Sequence, residues 1–339
     1  HITDEIKRRF EALGANGDYD VIITEIGGTV GDIESQPFLE AMRQFMFAQG
    51  RKNTISVHVT LVPYIKAAGE IKTKPTQHSV KTLLEIGIQP DILICRSEAP
   101  VTRDIREKIA LFTNVEADCV VDAHDVSTIY EVPIQFSEEE IDEIVLEKLD
   151  LTCPKPKLLE WKKFVERVKH PHGYVNIGIC GKYTEHQDAY KSIAESFVHA
   201  GAANNVKVNL SWIRAEDIER DGAEHHLSTV SGLLVAPGFG ERGIEGKVEA
   251  IGFARERRLP LVIHTREADN DTFTVLGEER ARDVGGVFHC FTGTREVARA
   301  ALDLGTGPCT RVPSCFQVDT SGMSCQRVRW WFCAQRACA

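Results

Sequence analysis

Residues 1 to about 150 alternate between apolar runs rich in β-branched residues and longer amphipathic stretches. Four apolar runs predict short strands, namely "YDVIITEI", "TISVHVTLV", "DILIC" and "ADCVVD". A helix is predicted over "SQPFLEAMRQFMF", which starts with Ser35 and Pro37 and then carries apolar residues at helical spacing. A second helix is predicted over "SEEEIDEIVLEKLD", where Ser137 and Glu140 have the spacing of a capping box. Strands that alternate with helices predict an α/β fold with a mostly parallel, doubly wound sheet.

The pattern changes twice after this region. "TCPKPKLLEWKKFVERVKHPHG" predicts a connector with one helix, and a second α/β unit begins at Gly173 with the strand "YVNIGIC". Near Leu259 two further strand–helix pairs are predicted, the first in "LPLVIH" with "DTFTVLGEERARD" and the second in "GGVFHCF" with "REVARAALDLG". After Gly305 the apolar residues follow neither the helical period nor the strand period, which predicts an irregular tail. The predicted segments are therefore 1–151, a linker 152–172, 173–258, 259–305 and the tail 306–339.

Composition narrows the classes of function. A chain of 339 residues can form two domains, and a net charge of −10 argues against a nucleic-acid-coating surface. The sequence has no run of about 18 apolar residues, so no membrane span is predicted. The cysteines of the tail match no Cys-x-x-Cys zinc pattern. The start "HITDEIKRRF" lacks a signal-peptide pattern and is typical of the middle of a longer protein. The other five cysteines are scattered over the body of the chain, several of them in apolar runs, so we expect a reduced, cytoplasmic location.

The stretch "EIGGTVGDIES" carries the first candidate chemistry. Glu25 closes a predicted strand, and α/β sheets place their ligands at the carboxyl ends of strands. The glycines allow close approach of the backbone to a ligand, and Asp32 and Glu34 add two carboxylates. A magnesium–triphosphate complex would need such oxygens. A glycine-rich turn whose carboxylates cap the next helix is the alternative interpretation, and spacing alone leaves both open.

The stretch "GEIKTKPTQHS" supplies the opposite charge. Lys72 and Lys74 lie on a predicted loop that Pro75 stiffens, an arrangement that suits phosphate groups. Two solvated lysines are the alternative. Arg96 follows the strand "DILIC", and Lys108 is predicted to start the helix "KIALF". Together these cations and the three acids above predict a nucleotide site.

These stretches resemble the synthetase domain of the CTP synthase family. The resemblance is carried by "EIGGTVGDIES", "TLVPYIKAAGEIKTKPTQHSVKTLLEIGIQPDILICRS" and "KIALFTNV". "GICGKYTEHQDAYKSIAES" and "VAPGFGERGIEGK" resemble the first part of the class I glutamine amidotransferase domain of that family. The resemblance extends from residue 1 to about 258. It implies a truncated P-loop-type parallel sheet, followed by part of a flavodoxin-like amidotransferase unit.

The resemblance also implies a function, a C–N ligase that aminates UTP to CTP with ATP and with ammonia from glutamine. It implies Mg²⁺ as cofactor with ATP and UTP as substrates, GTP as an allosteric effector, and a homotetramer. Glu25 would be a magnesium ligand. The UTP or CTP site would include these residues: Asp32, Ile33, Glu34, Lys72, Thr73, Lys74, Pro75, Thr76, Gln77 and Lys108.

The sequence departs from the family at both catalytic centres. No G-x-x-x-x-G-K-[ST] phosphate loop is present. Where the glutaminase cysteine should sit in a strand–turn–helix elbow, the chain has "LVIHTREAD", and Cys290 in "FHCFTG" is not in an elbow. Gly238 and Gly240 would be the remnant of an oxyanion loop without a nucleophile. We therefore expect that this chain by itself neither forms CTP nor hydrolyses glutamine.

The segment that replaces the elbow resembles a different family. "LPLVIHTREADNDT" and "GGVFHCFTGTREVARAALDLG" are similar to two βα units of the TatD-like metal-dependent hydrolases, which are TIM barrels. The resemblance implies that His264 and His289 descend from ligands of a divalent metal. The other ligands of that family are missing and two units cannot close a barrel, so metal binding is not expected.

Three functions therefore stay open. The alternatives to a CTP synthase-like chain are a TatD-like deoxyribonuclease fragment and a non-catalytic nucleotide-binding or assembly module. Because no domain of either family is complete, the sequence favours a chimeric chain joined near Leu259, with an out-of-frame tail, over a natural fusion.

Overall fold

The computed structural model describes residues 1–308, apart from 16, 18, 237–239, 260, 264–268, 279, 284, 285, 289–294 and 305. These residues form two compact units, His1–Val165 and a second unit that starts at Glu166. Both units are mixed α/β structures with parallel sheets, as the sequence predicted. Within the described ranges, no helix has the length and apolar character needed to cross a membrane.

The first unit is built on a three-stranded parallel sheet of order β1-β4-β5, with a two-stranded antiparallel hairpin of β2 and β3. Its elements in chain order are α1 (Ile2–Gly14), α2 (Gln36–Gln49), β1 (Val57–Leu61), β2 (Tyr64–Ile65), β3 (Glu70–Ile71), α3 (Lys74–Glu85), β4 (Ile92–Ser97), α4 (Arg103–Thr113), β5 (Val120–His124), α5 (Val132–Glu138) and α6 (Ile141–Lys148). Helix α7 (Leu159–Lys169) begins in this unit and ends in the second.

The core of the first unit lies around the central strand β4. Ile92, Leu93 and Cys95 are fully buried, and they pack with Ile109 of α4 and Val120 of β5. A strand buried on both faces reads as a continuous apolar run, which is why "DILIC" was recognisable in the sequence. The predicted strands that became β1, β4 and β5 are confirmed.

The predicted strand "YDVIITEI" is wrong. Residues 19–26 have no strand pairing, and Val21 and Ile23 are 50% and 89% exposed. A strand needs a neighbouring backbone to accept and donate its hydrogen bonds, and among the described residues none pairs with this run. The β-branched pattern reports only the local preference for an extended backbone.

The predicted capping box is also wrong. Ser137 lies inside α5, and Glu140 precedes α6 with a left-handed backbone (φ 56°) and no side-chain cap hydrogen bond. The positive φ at Glu140 breaks the run "SEEEIDEIVLEKLD" into two short helices, so the side chain of Ser137 is not at a helix start.

The second unit is built on a six-stranded parallel sheet of order β11-β10-β9-β8-β6-β7. Its elements in chain order are β6 (Gly173–Gly181), α8 (Lys191–Ala203), β7 (Val206–Arg214), α9 (Ala215–Asp221), α10 (Ala223–Leu227), β8 (Gly232–Val235), α11 (Ile244–Glu256), β9 (Leu261–Ile263), α12 (Asp269–Glu278), β10 (Gly286–Phe288), α13 (Arg295–Asp303) and β11 (Thr306–Pro308).

The two βα pairs predicted after residue 258 are present as β9 with α12 and β10 with α13, and they extend the sheet of β6, β7 and β8. Leu261 of β9 is in register with Leu233 of β8 on one side and with Gly286 of β10 on the other. Leu233, Leu261 and Phe288 belong to one buried cluster. The strands on either side of the predicted join therefore share one sheet and one core.

The start of the predicted irregular tail is a correction. Thr306–Pro308 forms β11, which pairs with β10, because an open parallel edge can accept even a short extended segment. The remainder of the predicted tail, from 309, lies outside the described residues.

Candidate functional site

The acidic stretch forms a tight turn before α2. The Thr29 amide donates to Asp32 Oδ2 over 2.9 Å, and the Ser35 hydroxyl donates to the Asp32 carbonyl over 2.9 Å. Gly28 and Gly31 adopt φ angles of 85° and 108°, which side chains rarely tolerate. The glycines thus permit the predicted glycine-rich turn, but the Asp32 carboxylate accepts from the preceding Thr29 amide and does not cap the next helix, so the capping part of that alternative is wrong.

The two residues after Asp32 face solvent. Ile33 is 82% exposed, and Glu34 is exposed beside it in a 3-10 turn that ends at Ser35. Glu25 is also exposed, on the extended segment 19–26 rather than at the end of a strand.

The basic stretch is the end of β3 and the start of α3 rather than a free loop. Thr73 is the N-cap residue, and Lys74 and Pro75 are the first two residues of the helix. Proline is favoured here because its fixed φ suits the first turn and the missing N–H has no partner there. The Gln77 side chain donates to the Thr73 hydroxyl over 3.1 Å. The predicted loop is stiff because it is a helix start.

Lys72 and Lys108 both influence the Glu70 carboxylate. Lys72 pairs with Glu70, and the hydrogen bond with Lys72 lowers the pKa of Glu70, with a smaller contribution from Lys108. Lys108 lies in the middle of α4, which begins five residues earlier at Arg103, so the predicted helix start is wrong. Within the described part of the chain, neither Lys74 nor Lys108 has an ion-pair partner.

The acidic turn and the basic stretch lie at different points along helix α3. A Cβ atom at Gly31 would lie 3.6 Å from Cγ2 of Thr82, so the acidic turn contacts the second half of α3. The rise of a helix puts Thr82 about 12 Å along the axis from Lys74. The structure therefore places Lys72 and Lys74 at the start of α3 and the Asp32 turn beside its second half.

The carboxyl ends of β4 and β5 carry a polar cluster of which the sequence analysis predicted only Arg96. Arg96 pairs with Asp125 over 2.8 Å, while His124 Nδ1 lies 2.8 Å from Asp122 Oδ2. Asp122 is 4% exposed, and its Oδ1 atom is buried without a hydrogen-bond partner among the described residues. The signal was present in "VVDAHD", where two acids and a histidine end an apolar run.

The described residues hold no complete metal centre. They contain no group of three or more His, Cys, Asp or Glu side chains that could hold a metal ion. A Mg²⁺ ion that keeps water and phosphate ligands needs only one or two protein carboxylates. Glu25 is exposed and could supply one.

The second unit has few of the predicted site residues in its described part. The Lys182 ammonium donates to the carbonyl of Gly240, which has a φ of 77°. Gly238, His264 and His289 lie outside the described residues. Burial raises the pKa of both Cys95 and Cys180 to about 12, so neither thiol is an activated nucleophile.

Comparison with known families gives three matches. Residues 1–151 match the CTP synthase N-terminus, residues 185–262 match glutamine amidotransferase class-I, and residues 245–321 match TatD related DNase. The last two matches overlap over 245–262, which includes most of α11 and the first two residues of β9.

Two curated relatives are similar to this chain over a longer stretch than either of the first two family matches. The chain is 60% identical over 264 residues to CTP synthase of Chloroherpeton thalassium, which covers 77% of this chain and 47% of that protein. It is 55% identical over 261 residues to CTP synthase of Cytophaga hutchinsonii, with 77% and 48% covered. The resemblance to CTP synthase is confirmed over about three quarters of the chain. The chain spans about half the length of these relatives.

Two of the solved structures that match this chain are a glutaminase domain and a hydrolase. The Trypanosoma brucei CTPS glutaminase domain with bound acivicin is 29% identical, covering 32% of this chain and 41% of that one, with a TM-score of 0.27. A TatD family hydrolase from Entamoeba histolytica is 18% identical, covering 43% and 54%, with a TM-score of 0.28.

Proposed function

We propose that the first unit is the pyrimidine-nucleotide-binding part of a CTP synthase-type ligase. The observation that carries this proposal is the position of Lys72 and Lys74 at the start of α3, where Lys72 pairs with Glu70 and the charge of Lys108 also lowers the pKa of that carboxylate. Lysine ammonium groups at the positive end of a helix suit the phosphates of UTP or CTP. The whole reaction would be the ATP-dependent amination of UTP to CTP, in the cytoplasm.

The residues divide the binding work by their chemistry. Lys72, Lys74 and Lys108 would hold the triphosphate, with the polar side chains of Thr73, Thr76 and Gln77 fixing the helix start. Asp32, Ile33 and Glu34 would contact the pyrimidine end. Pro75 restricts the backbone, which lowers the entropy lost when the ligand binds.

Magnesium would enter this site with the nucleotide. Glu25 would be one of its ligands, and the ion would neutralise part of the phosphate charge. ATP, glutamine, GTP as effector, and a homotetrameric assembly belong to the complete ligase by the same assignment.

We also propose that this chain alone binds nucleotide without completing the reaction. These 339 residues contain no phosphate loop of the G-x-x-x-x-G-K-[ST] type and no cysteine elbow. Gly238 and Gly240 would then be the remnant of an oxyanion loop without a nucleophile to serve. CTP formation from UTP, ATP and ammonia by the purified chain would refute this part of the proposal.

Calorimetric titration with UTP and CTP tests the binding proposal. The double variant Lys72→Ala and Lys108→Ala should weaken UTP binding at least about 10-fold, because each removes a charge-assisted contact. Lys81→Ala is the matched control, since Lys81 is an exposed lysine of the same helix at its far half. Equal affinities of the double variant and the control would reject the site.

A second candidate function is favoured by the TatD match over 245–321. We infer that β9 with α12 and β10 with α13 descend from barrel-type βα units of such a hydrolase. Metal-dependent cleavage of DNA that disappears in the variant His264→Ala and His289→Ala would support nuclease activity. Cleavage that survives in this variant would assign the activity to a contaminant.

A further inference from the structure

A partly buried hydrogen bond links β1 to α3, the helix that begins at Lys74. His58 lies on the face of β1 that is covered by α3, and its Nε2 is 2.9 Å from the Ser79 hydroxyl. His58 is half-buried, and burial lowers its pKa below the ordinary value of 6.5. The imidazole is therefore neutral at neutral pH, and its Nε2 can either donate a hydrogen bond to the hydroxyl or accept one from it.

A second hydrogen bond lies one helical turn earlier. The hydroxyl of Thr76, which is fully buried, donates to the Leu61 carbonyl of β1 over 3.0 Å. The two contacts are three residues apart on the strand and three residues apart on the helix, in opposite directions. They fix both the translation and the rotation of the first two turns of α3 on β1.

The choice of histidine at this position is not explained by packing. An aliphatic side chain would fill the space without the cost of removing a polar ring from water. The ring is tolerated because the Ser79 hydroxyl satisfies one of its nitrogens, and Ser79 lies in the second turn of α3. The polar pair is therefore a specific link between strand and helix.

We propose that His58 is a positioning residue for the nucleotide site: through Ser79 it holds α3 so that Lys72, Lys74 and Lys108 meet the same phosphate chain. This inference rests on the proposed function. His58 does not contact the ligand itself. Its effect passes along α3, whose first residue is Lys74, and from there to the adjoining Lys72.

Two substitutions of His58 distinguish positioning from packing. His58→Leu keeps the volume and removes the hydrogen bond, while His58→Gln can present an amide to Ser79. Calorimetric UTP titration should show His58→Leu weaker than wild type by about 2- to 12-fold, the range that the net value of one hydrogen bond allows. His58→Gln should recover most of this loss, and Ser79→Ala should resemble His58→Leu.

The matched control is a hydrogen bond of similar kind elsewhere in the unit. The Trp161 indole donates to the Tyr130 carbonyl over 2.8 Å, and Trp161→Phe removes it while keeping an aromatic ring. This variant should lower the melting temperature without changing UTP affinity. The inference is wrong if His58→Leu binds UTP as wild type does, if His58→Gln binds as weakly as His58→Leu, or if Trp161→Phe weakens binding equally.

Hydrogen exchange separates this inference from the proposed function. In the free chain, His58→Leu should speed amide exchange over residues 72–79 and leave β4 unchanged, whereas His58→Gln should not. If wild type fails to bind UTP, the proposed function fails, and the exchange result alone decides the role of His58. Unchanged exchange over 72–79 in His58→Leu overturns the inference whether or not UTP binds.

Discussion

Truncation of Leu261 measures whether the second unit is one cooperative structure across the predicted join. Leu261 is 1% exposed, and its backbone lies between Leu233 of β8 and Gly286 of β10. Leu261→Ala removes three carbons, worth about 2.4 kcal/mol of transfer free energy at roughly 0.8 kcal/mol each. The cavity left behind raises the expected loss to roughly 3–5 kcal/mol. A loss of about 3 kcal/mol would lower the melting temperature by roughly 6–12 °C.

The location of the loss is as informative as its size. Because β6, β8 and β9 share a sheet, hydrogen exchange with mass-spectrometric detection should show faster exchange in the β6 and β8 amides of the variant. The matched control is Leu302→Ala, since Leu302 is 59% exposed and its truncation should cost less than about 0.5 kcal/mol. If Leu261→Ala costs no more than the control, or if β6 and β8 keep their protection, β9 is not part of that core.

Three further outcomes are expected from the first unit. Glu70→Gln should tighten UTP binding, by up to about 5-fold, because it frees Lys72 from an exposed ion pair; weaker binding in titrations would contradict this. In the native protein an alkylating reagent should modify the exposed Cys153 and spare Cys95, whose pKa burial raises to about 12, as peptide mapping can check. The lowered pKa of His58 means that the unfolded chain binds this proton first as pH falls through 6.5, so stability should drop below that pH. His58→Gln should flatten this part of the pH–stability profile, and an unchanged slope in urea melts would count against the assignment.

Local sequence patterns predicted where strands and helices form better than they predicted which strands pair with each other. The buried run "DILIC" became β4, and Ser35 with Pro37 marked the start of α2 correctly. The run over residues 19–26 has the same β-branched character, yet it remains unpaired. Strand formation depends on a second backbone at hydrogen-bonding distance, and a periodicity within one segment contains no information about that partner.

The sequence predicted residue types for a nucleotide site but not their arrangement. That Lys72 and Lys74 bind phosphate stays a prediction, and the separation of the Asp32 turn from them along α3 depends on how α2 packs against that helix. The contact of His58 with Ser79 joins residues 21 positions apart. Neither residue stands out in the sequence, because a single histidine in an apolar run has no spacing that indicates its partner.

The placement of β9 between β8 and β10 has a consequence for recombination between genes. Parallel strands bond through backbone atoms alone, so a sheet edge does not discriminate by ancestry among βα segments of suitable length and apolar face. Foldability can therefore survive an exchange that destroys an active site. Catalytic groups sit in the connections beyond the strand ends, where no backbone ladder restores what an exchange removes. The second unit of this chain can therefore have a continuous sheet although its sequence contains no cysteine elbow.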